Sequence, residues 1–178
     1  MPHSRKPVAT LPNRILKVNH AGEHGAVNIY RGQLLVCRWR ATALIPELRE
    51  FMADEERHRA LFATHLAQRG LPRCRSYHLC GLGGFVLGFF SGLCGHAALA
   101  ATTVAVERVV LRHLEAQLIL LKECDPAAHY TVQAIVSDER AHHDRAALAI
   151  RQGWLWPRLL MPIVSQATES VIWLGMRV

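Results

Sequence analysis

The sequence predicts an all-α fold, a four-helix bundle made from two repeated helical hairpins, with a further apolar helical segment and a C-terminal helix. Strand signals are scarce, while apolar residues recur at three- and four-residue steps. Proline, glycine and Asp-Pro punctuation cuts the chain into helix-length pieces. A set of carboxylates and histidines also returns at one fixed offset along the chain.

Residues 1–13, with Pro2, Pro7 and Pro12 among basic side chains, read as a flexible arm. Residues 14–178 then form a single domain, as suits a chain of 178 residues. From Arg14 to Arg40 the positions Ile15, Val18, Ala26, Ile29, Leu34 and Cys37 follow helical spacing. Pro46 opens a second helix and Gly70-Leu71-Pro72 closes it. A helix over Ala97–Glu123 is broken by Cys124-Asp125-Pro126. Asp125 caps the next helix, which runs to Gln152 and ends at Gly153. Pro157 to Met176 is the last helix.

Between Ser76 and Val106 there is no Asp, Glu, Lys or Arg, a run long enough for a membrane span. Glycines at 81, 83, 84, 88, 92 and 95 weaken a continuous helix there. Residues 79–99 are therefore expected to lie in a membrane interface, or to cover the mouth of the bundle, as a helix or a broken helical hairpin. Phe85, Leu87, Phe89, Phe90 and Leu93 are the side chains expected to line a lipid-facing surface or apolar access route.

Hydrophobic residues make up 51% of the chain and charged residues 20%, which excludes a disordered protein. Lys+Arg 21 against Asp+Glu 14 gives a net charge of +7. That charge suits an anionic partner, and the apolar excess favours a membrane surface over nucleic acid. The five cysteines form no CxxC pair and read as free thiols in a reducing compartment. No apolar run precedes Glu23, so neither a signal peptide nor a transit peptide is expected. The cytoplasmic face of a bacterial membrane is the expected location.

Glu55 and His58 stand three apart, as do Glu139 and His142, so each pair shares a helix face. One such pair is weak, but the spacing around the two is not. Glu23 precedes Glu55 by 55 − 23 = 32 residues, and Glu107 precedes Glu139 by 139 − 107 = 32. The second set follows the first at 107 − 23 = 84, an offset shared by Gln33 with Gln117 and by Asp54 with Asp138. Each hairpin thus brings its two glutamates to one level. Packed together, two hairpins offer a Glu from each of two helices and Glu-x-x-His from each of the other two, the ligand set of ferritin-like di-metal carboxylate bundles. Carboxylate oxygens and imidazoles suit Fe(II), Fe(III) or Mn(II). Four negative charges balance two divalent ions inside a bundle, and shifting carboxylates leave positions for dioxygen. A single membrane crossing over 79–99 would put Glu55 and Glu107 on opposite sides, which one metal centre forbids. His20 and His113 are candidates to hydrogen-bond the ligands, and His143 is an outer or surface residue.

At these residues the chain resembles the demethoxyubiquinone hydroxylases of ubiquinone biosynthesis. Asn19-His20-Ala21-Gly22-Glu23-His24-Gly25-Ala26 with Ile29-Tyr30-Arg31-Gly32-Gln33 is similar to the first signature of that family. Thr103-Val104-Ala105-Val106-Glu107 is similar to the second, and Asp138-Glu139-Arg140-Ala141-His142-His143-Asp144 to the third. The ending Glu169-Ser170-Val171-Ile172-Trp173-Leu174 is similar too, so the resemblance runs from Arg14 to Val178. It implies iron ligands at Glu23, Glu55, His58, Glu107, Glu139 and His142, and a membrane-bound di-iron monooxygenase that uses O2 to hydroxylate the ring of a polyprenylated demethoxyquinol. Electrons would come from NADH or from the quinol. A lipid-binding accessory protein and self-association are further expected partners. His24 stands where tyrosine is common in the family, Leu114 follows His113 where many members have tyrosine, and His96-Ala97 replaces a charged pair. The rival readings are another ferritin-like oxidase or peroxidase, a tRNA hydroxylase, and a metal-free helical membrane scaffold.

Overall fold

Thr10, in extended backbone, accepts a hydrogen bond from the Asn13 amide on its hydroxyl at 3.4 Å, and Pro12 sits in the first turn that follows. Helix α1 therefore runs Leu11–Arg40. It starts before the expected Arg14, because the capped first turn precedes the first periodic apolar residue, Ile15. The computed structural model describes residues 10–150 and 155–177, so most of the expected N-terminal arm lies outside the described residues.

A 3-10 turn, Thr42–Leu44, leads into α2, Ile45–Gln68, with Pro46 in its first turn. Gly70 stops it at φ 62°, where the Leu71 amide donates back to the Leu66 carbonyl at 2.9 Å. Helix α3, Tyr77–Leu93, is followed by Gly95 at φ 92° and then by α4, His96–Cys124. Asp125 accepts from the Ala128 amide at 3.1 Å and so caps α5, Pro126–Ile150. The expected stop at Gly153 lies outside the described residues. Helix α6 spans Leu155–Gly175.

The hairpins α1–α2 and α4–α5 are the expected ones, and each carries a third helix laid along its first. Gly84 meets Gly25, Gly88 meets Ile29 and Gly92 meets Val36, so α3 runs parallel to α1. On the other side Ser165 donates to the Ala105 carbonyl and Glu169 meets His113, so α6 runs parallel to α4. The repeat is thus three helices long: 77 + 84 = 161 falls within α6. Sequence identity made only two of the three visible.

Residues 79–99 divide at Gly95 into α3 and the start of α4, and no described helix is long and apolar enough to cross a membrane. The glycines that weaken α3 as an isolated helix are what seat it. A Cβ on Gly88 would lie 1.9 Å from the Ile29 carbonyl oxygen, and one on Gly84 2.2 Å from that of Gly25. Backbone therefore packs on backbone along this seam.

The bundle interior is layered. Ile15, Leu16, Phe62, Leu66, Leu114, Leu121, Val132 and Ile135 fill one end. Tyr30, Leu34, Leu48, Phe51 and Leu99 fill the other. Between these apolar layers lies a belt of buried acids and imidazoles.

Candidate metal centre

Six side chains from four helices converge in that belt. Helices α1 and α4 contribute Glu23 and Glu107, α2 contributes Glu55 and His58, and α5 contributes Glu139 and His142. None is more than 5% exposed. They form two overlapping groups, Glu23–Glu55–His58–Glu139 and Glu55–Glu107–Glu139–His142, within each of which one ligand atom per residue lies within 4.8 Å of the others. Glu55 and Glu139 belong to both groups. The two groups are exchanged by the approximate two-fold that relates the repeats.

Both imidazoles are aimed. His58 turns Nδ1 into the belt, 3.0 Å from Glu139 Oε1, and donates through Nε2 to Asp138 Oδ2 at 3.0 Å. His142 turns Nδ1 toward Glu55 Oε1 at 3.2 Å and donates through Nε2 to Asp54 Oδ2 at 3.1 Å. Each histidine is thus oriented by the aspartate of the opposite hairpin. Arg57 ties those aspartates together, donating to Asp54 at 2.7 Å and to Asp138 at 2.8 Å. Asp54 and Asp138 belong to the sequence repeat, but their task becomes visible only once the hairpins face each other. Their signal was the shared offset of 84 and their place just before each Glu-x-x-His.

The belt concentrates negative charge in a dry interior. Burial, with the charges of Glu139 and Glu55, pushes the Glu23 carboxyl well above its usual range; burial and Glu139 do the same to Glu107. Burial also acts against ionised Glu55, but the imidazoles of His142 and His58 outweigh it and hold the group at about 2. Burial works against protonated His58 as well, yet Glu139 and Glu55 raise it to about 11. His142 is raised by Glu55 and Glu139 against the same burial.

Hydrogen bonding in the belt is incomplete. Glu55 Oε1 and His142 Nδ1 lie 3.2 Å apart without the alignment of a hydrogen bond, so among the described residues both are buried without a hydrogen-bond partner. Hard oxygen and imidazole donors, grouped at this spacing and left with spare lone pairs, fit a pair of divalent transition ions. Tyr30 stands beside them, its phenol kept neutral by burial and by Glu107.

A cavity of 290 Å³ opens from the belt between α1, α3, α4 and α6. Glu23, Glu55, Glu107 and Glu139 face it at one end. Its walls are apolar, with Ala26, Ile29, Leu87, Val106, Val110 and Val164 among them. Leu79 and Ile163 line it and are also 53% and 66% exposed, so they mark its mouth.

Of the five apolar residues expected to line either a lipid-facing surface or an apolar access route, Leu87 lines the cavity. Phe85, Phe90 and Leu93 are exposed, and Phe89 is half-buried with its ring edge-on to Phe90. The close backbone seam turns the glycine face of α3 to α1 and sends the phenylalanines elsewhere. The sequence pattern did not single out the rest of the apolar lining, which α6 supplies through Val164, Ala167 and Val171 among others and α1 through Val18, Ala26 and Ile29 among others.

The three further histidines lie outside the belt. His20 is buried against the Tyr77 ring at 4.9 Å, and among the described residues its Nδ1 has no hydrogen-bond partner. His113 lines the cavity but donates to Glu169 on α6, 2.8 Å away, rather than to a belt carboxylate. Six residues beyond Glu107, it has rotated toward that helix. His143 pairs with Asp144 at 2.9 Å near the surface.

The family model described as ubiquinone biosynthesis protein COQ7 matches residues 10–175. A 3-demethoxyubiquinol 3-hydroxylase from Rhodospirillum rubrum is 34% identical over 171 residues, which cover 96% of this chain and 80% of the relative. An NADPH-dependent 3-demethoxyubiquinone 3-hydroxylase, mitochondrial, from Dictyostelium discoideum is 32% identical over 93% of this chain and 76% of its own length. The protein of that same description from Homo sapiens is 31% identical over 74% of this chain and 62% of its own length.

Proposed function

This chain belongs to the COQ7 family of ubiquinone biosynthesis proteins, and from that membership and its buried belt we propose that it is a demethoxyubiquinol 3-hydroxylase working through a two-metal carboxylate centre. The observation that carries the mechanism is the meeting of two overlapping ligand groups with an apolar cavity. Glu23, Glu55, His58, Glu107, Glu139 and His142 would hold two iron ions. Bound there, the iron pair would supply the activation of O2 needed to place oxygen on an aromatic ring.

The rest is the work of the protein. Asp54 and Asp138 keep the Nε2 protons of the histidines engaged, which leaves each Nδ1 free to face the metal. Loading the belt displaces protons held by His58, His142, Glu23 and Glu107, so affinity for the ions falls as pH falls. The apolar walls exclude water and accept a greasy ring. That lining favours a quinol over RNA, and four buried carboxylates speak against a metal-free scaffold.

The mouth supports a membrane-borne substrate. Leu79, Leu82, Val86 and Phe90 on α3, with Leu159 and Ile163 on α6, are exposed apolar side chains on the two helices that flank it. Such a surface suits peripheral binding to a membrane, from which a polyprenylated ring enters the cavity while its tail stays in lipid. The cytoplasmic face of a bacterial membrane is the location this reading implies.

The test is a quinone profile by mass spectrometry in a host lacking its own ring hydroxylase. The unaltered chain should convert demethoxyubiquinone to ubiquinone, and Glu107→Ala should abolish conversion while leaving helical content nearly intact. Full conversion by the variant would remove Glu107 from the site.

A further inference from the structure

The cavity has a second polar pole, opposite in character to the acidic belt. His113 lines it, donating through Nε2 to Glu169 Oε2 at 2.8 Å, and the other oxygen of Glu169 is paired with Arg112. The Arg112 pairing keeps Glu169 an acceptor, so the imidazole proton belongs on Nε2 and Nδ1 carries a lone pair. Burial and Arg112 hold His113 below its usual pKa, consistent with a neutral ring at pH 7. Among the described residues no group is paired with Nδ1. The other polar side chains on the wall are engaged. Asn19 exchanges hydrogen bonds with Gln117, at 2.7 and 3.2 Å, and the Thr168 hydroxyl donates to the Val164 carbonyl at 2.9 Å.

Glu107 and His113 are six residues apart on α4, which is about 9 Å of helix rise. One six-membered ring fits between those levels. Resting on the reading of the chain as a demethoxyubiquinol hydroxylase, we propose that His113, held in place by Glu169, accepts a hydrogen bond from a ring hydroxyl of the substrate and thereby selects the reduced quinol over the oxidised quinone. The quinol offers O–H donors to Nδ1. The quinone offers only carbonyl oxygens, so acceptor would face acceptor in an apolar wall. His113 touches the substrate, while Glu169 is a positioning residue that fixes the ring and its tautomer from α6. A contact to the hydroxyl also sets one edge of the ring toward the belt, so orientation and redox selection come from one interaction.

The test is equilibrium binding, by calorimetry under argon, of a short-chain demethoxyquinol and its quinone to the full chain. One additional hydrogen bond predicts that the quinol binds roughly five- to tenfold more tightly. His113→Phe should bring that preference to about one, since the acceptor that distinguishes the two redox forms is lost. Glu169→Ala should lose most of the preference. Glu169→Gln should keep it, because the amide oxygen accepts the same Nε2 proton. A merely structural role for Glu169 would weaken both ligands together and would not be rescued by glutamine. Equal binding of the two redox forms by the unaltered chain overturns the proposal and leaves the hydroxylase reading standing, as does a preference that survives His113→Phe. Failure of both forms to bind overturns the assignment of the cavity to a quinone ring, and this inference with it. Far-UV circular dichroism establishes folding of each variant. Should His113→Phe unfold, the two Glu169 variants, altered at a half-buried position, decide the outcome alone.

Discussion

Asp54 and Asp138 show how much of this site depends on pairs of residues rather than on ligands alone. Each aspartate accepts the Nε2 proton of the histidine on the opposite hairpin, so the hairpins orient each other's imidazoles. Asp54→Asn keeps the size of the side chain but removes the charge that makes His142 a better donor to metal. It is expected to weaken metal binding by about 10- to 100-fold, measured by competition with a chelator, with helical content unchanged. Unaltered affinity would show that His142 does not need Asp54. At this scale the candidate ligands were legible because residue type and spacing alone identify them. The aspartates were visible as repeated letters, but their task depends on which helices face each other. The His113–Glu169 contact joins residues 56 apart that share no repeat, and periodicity has no means of pairing them.

Helix α3 carries the clearest difference between what composition suggests and what packing does. Its glycines lower intrinsic helix propensity, yet they let its backbone lie directly on α1. A methyl group on Gly88 would fall 1.9 Å from the Ile29 carbonyl oxygen, so Gly88→Ala must push α3 off α1 and should destabilise the protein by about 1–3 kcal/mol. A Cβ on Gly83 meets nothing within 4 Å, so Gly83→Ala should be neutral or stabilising by up to about 1 kcal/mol. Chemical denaturation of the two variants side by side checks the assignment, and equal effects would contradict it. The helix boundaries were largely readable, because Pro46, Gly70 and Asp125 act locally through caps and turns. The face that α3 turns inward was not, since hydrophobicity runs all round it and only the partner backbone decides. For that reason Leu87 alone of the five reaches the cavity while Phe85, Phe90 and Leu93 stay on the exposed surface, and α6 and α1 supply much of the remaining wall.

At the scale of the whole molecule, the two halves must be held in register for six residues from four helices to meet. One tie is Arg69 at the end of α2. It donates to Asp125 in the α4–α5 turn at 2.6 and 2.8 Å, and to Asn13 on α1 at 3.0 Å. Arg69 holds the Asp125 carboxyl below its usual range. The contribution is therefore complete above the unfolded carboxylate value, near pH 4, and is lost as pH falls through the lower folded value. Asp125→Asn should cost about 1–3 kcal/mol at neutral pH, as expected for a hydrogen bond to a charged group. The difference from the unaltered chain should shrink below about pH 4; a gap that stays constant would locate the effect elsewhere. Architecture of this kind was legible in outline because the 84-residue offset implies two equivalent halves, although each half proved to be three helices long. The metal content of the purified chain, by mass spectrometry, tests most directly whether the buried belt is a two-metal centre. About two transition-metal ions per chain are predicted, with Glu55→Ala and Glu139→Ala each losing most of them because both groups share those residues. A chain that binds no such ions, or binds as many after either substitution, would contradict the account.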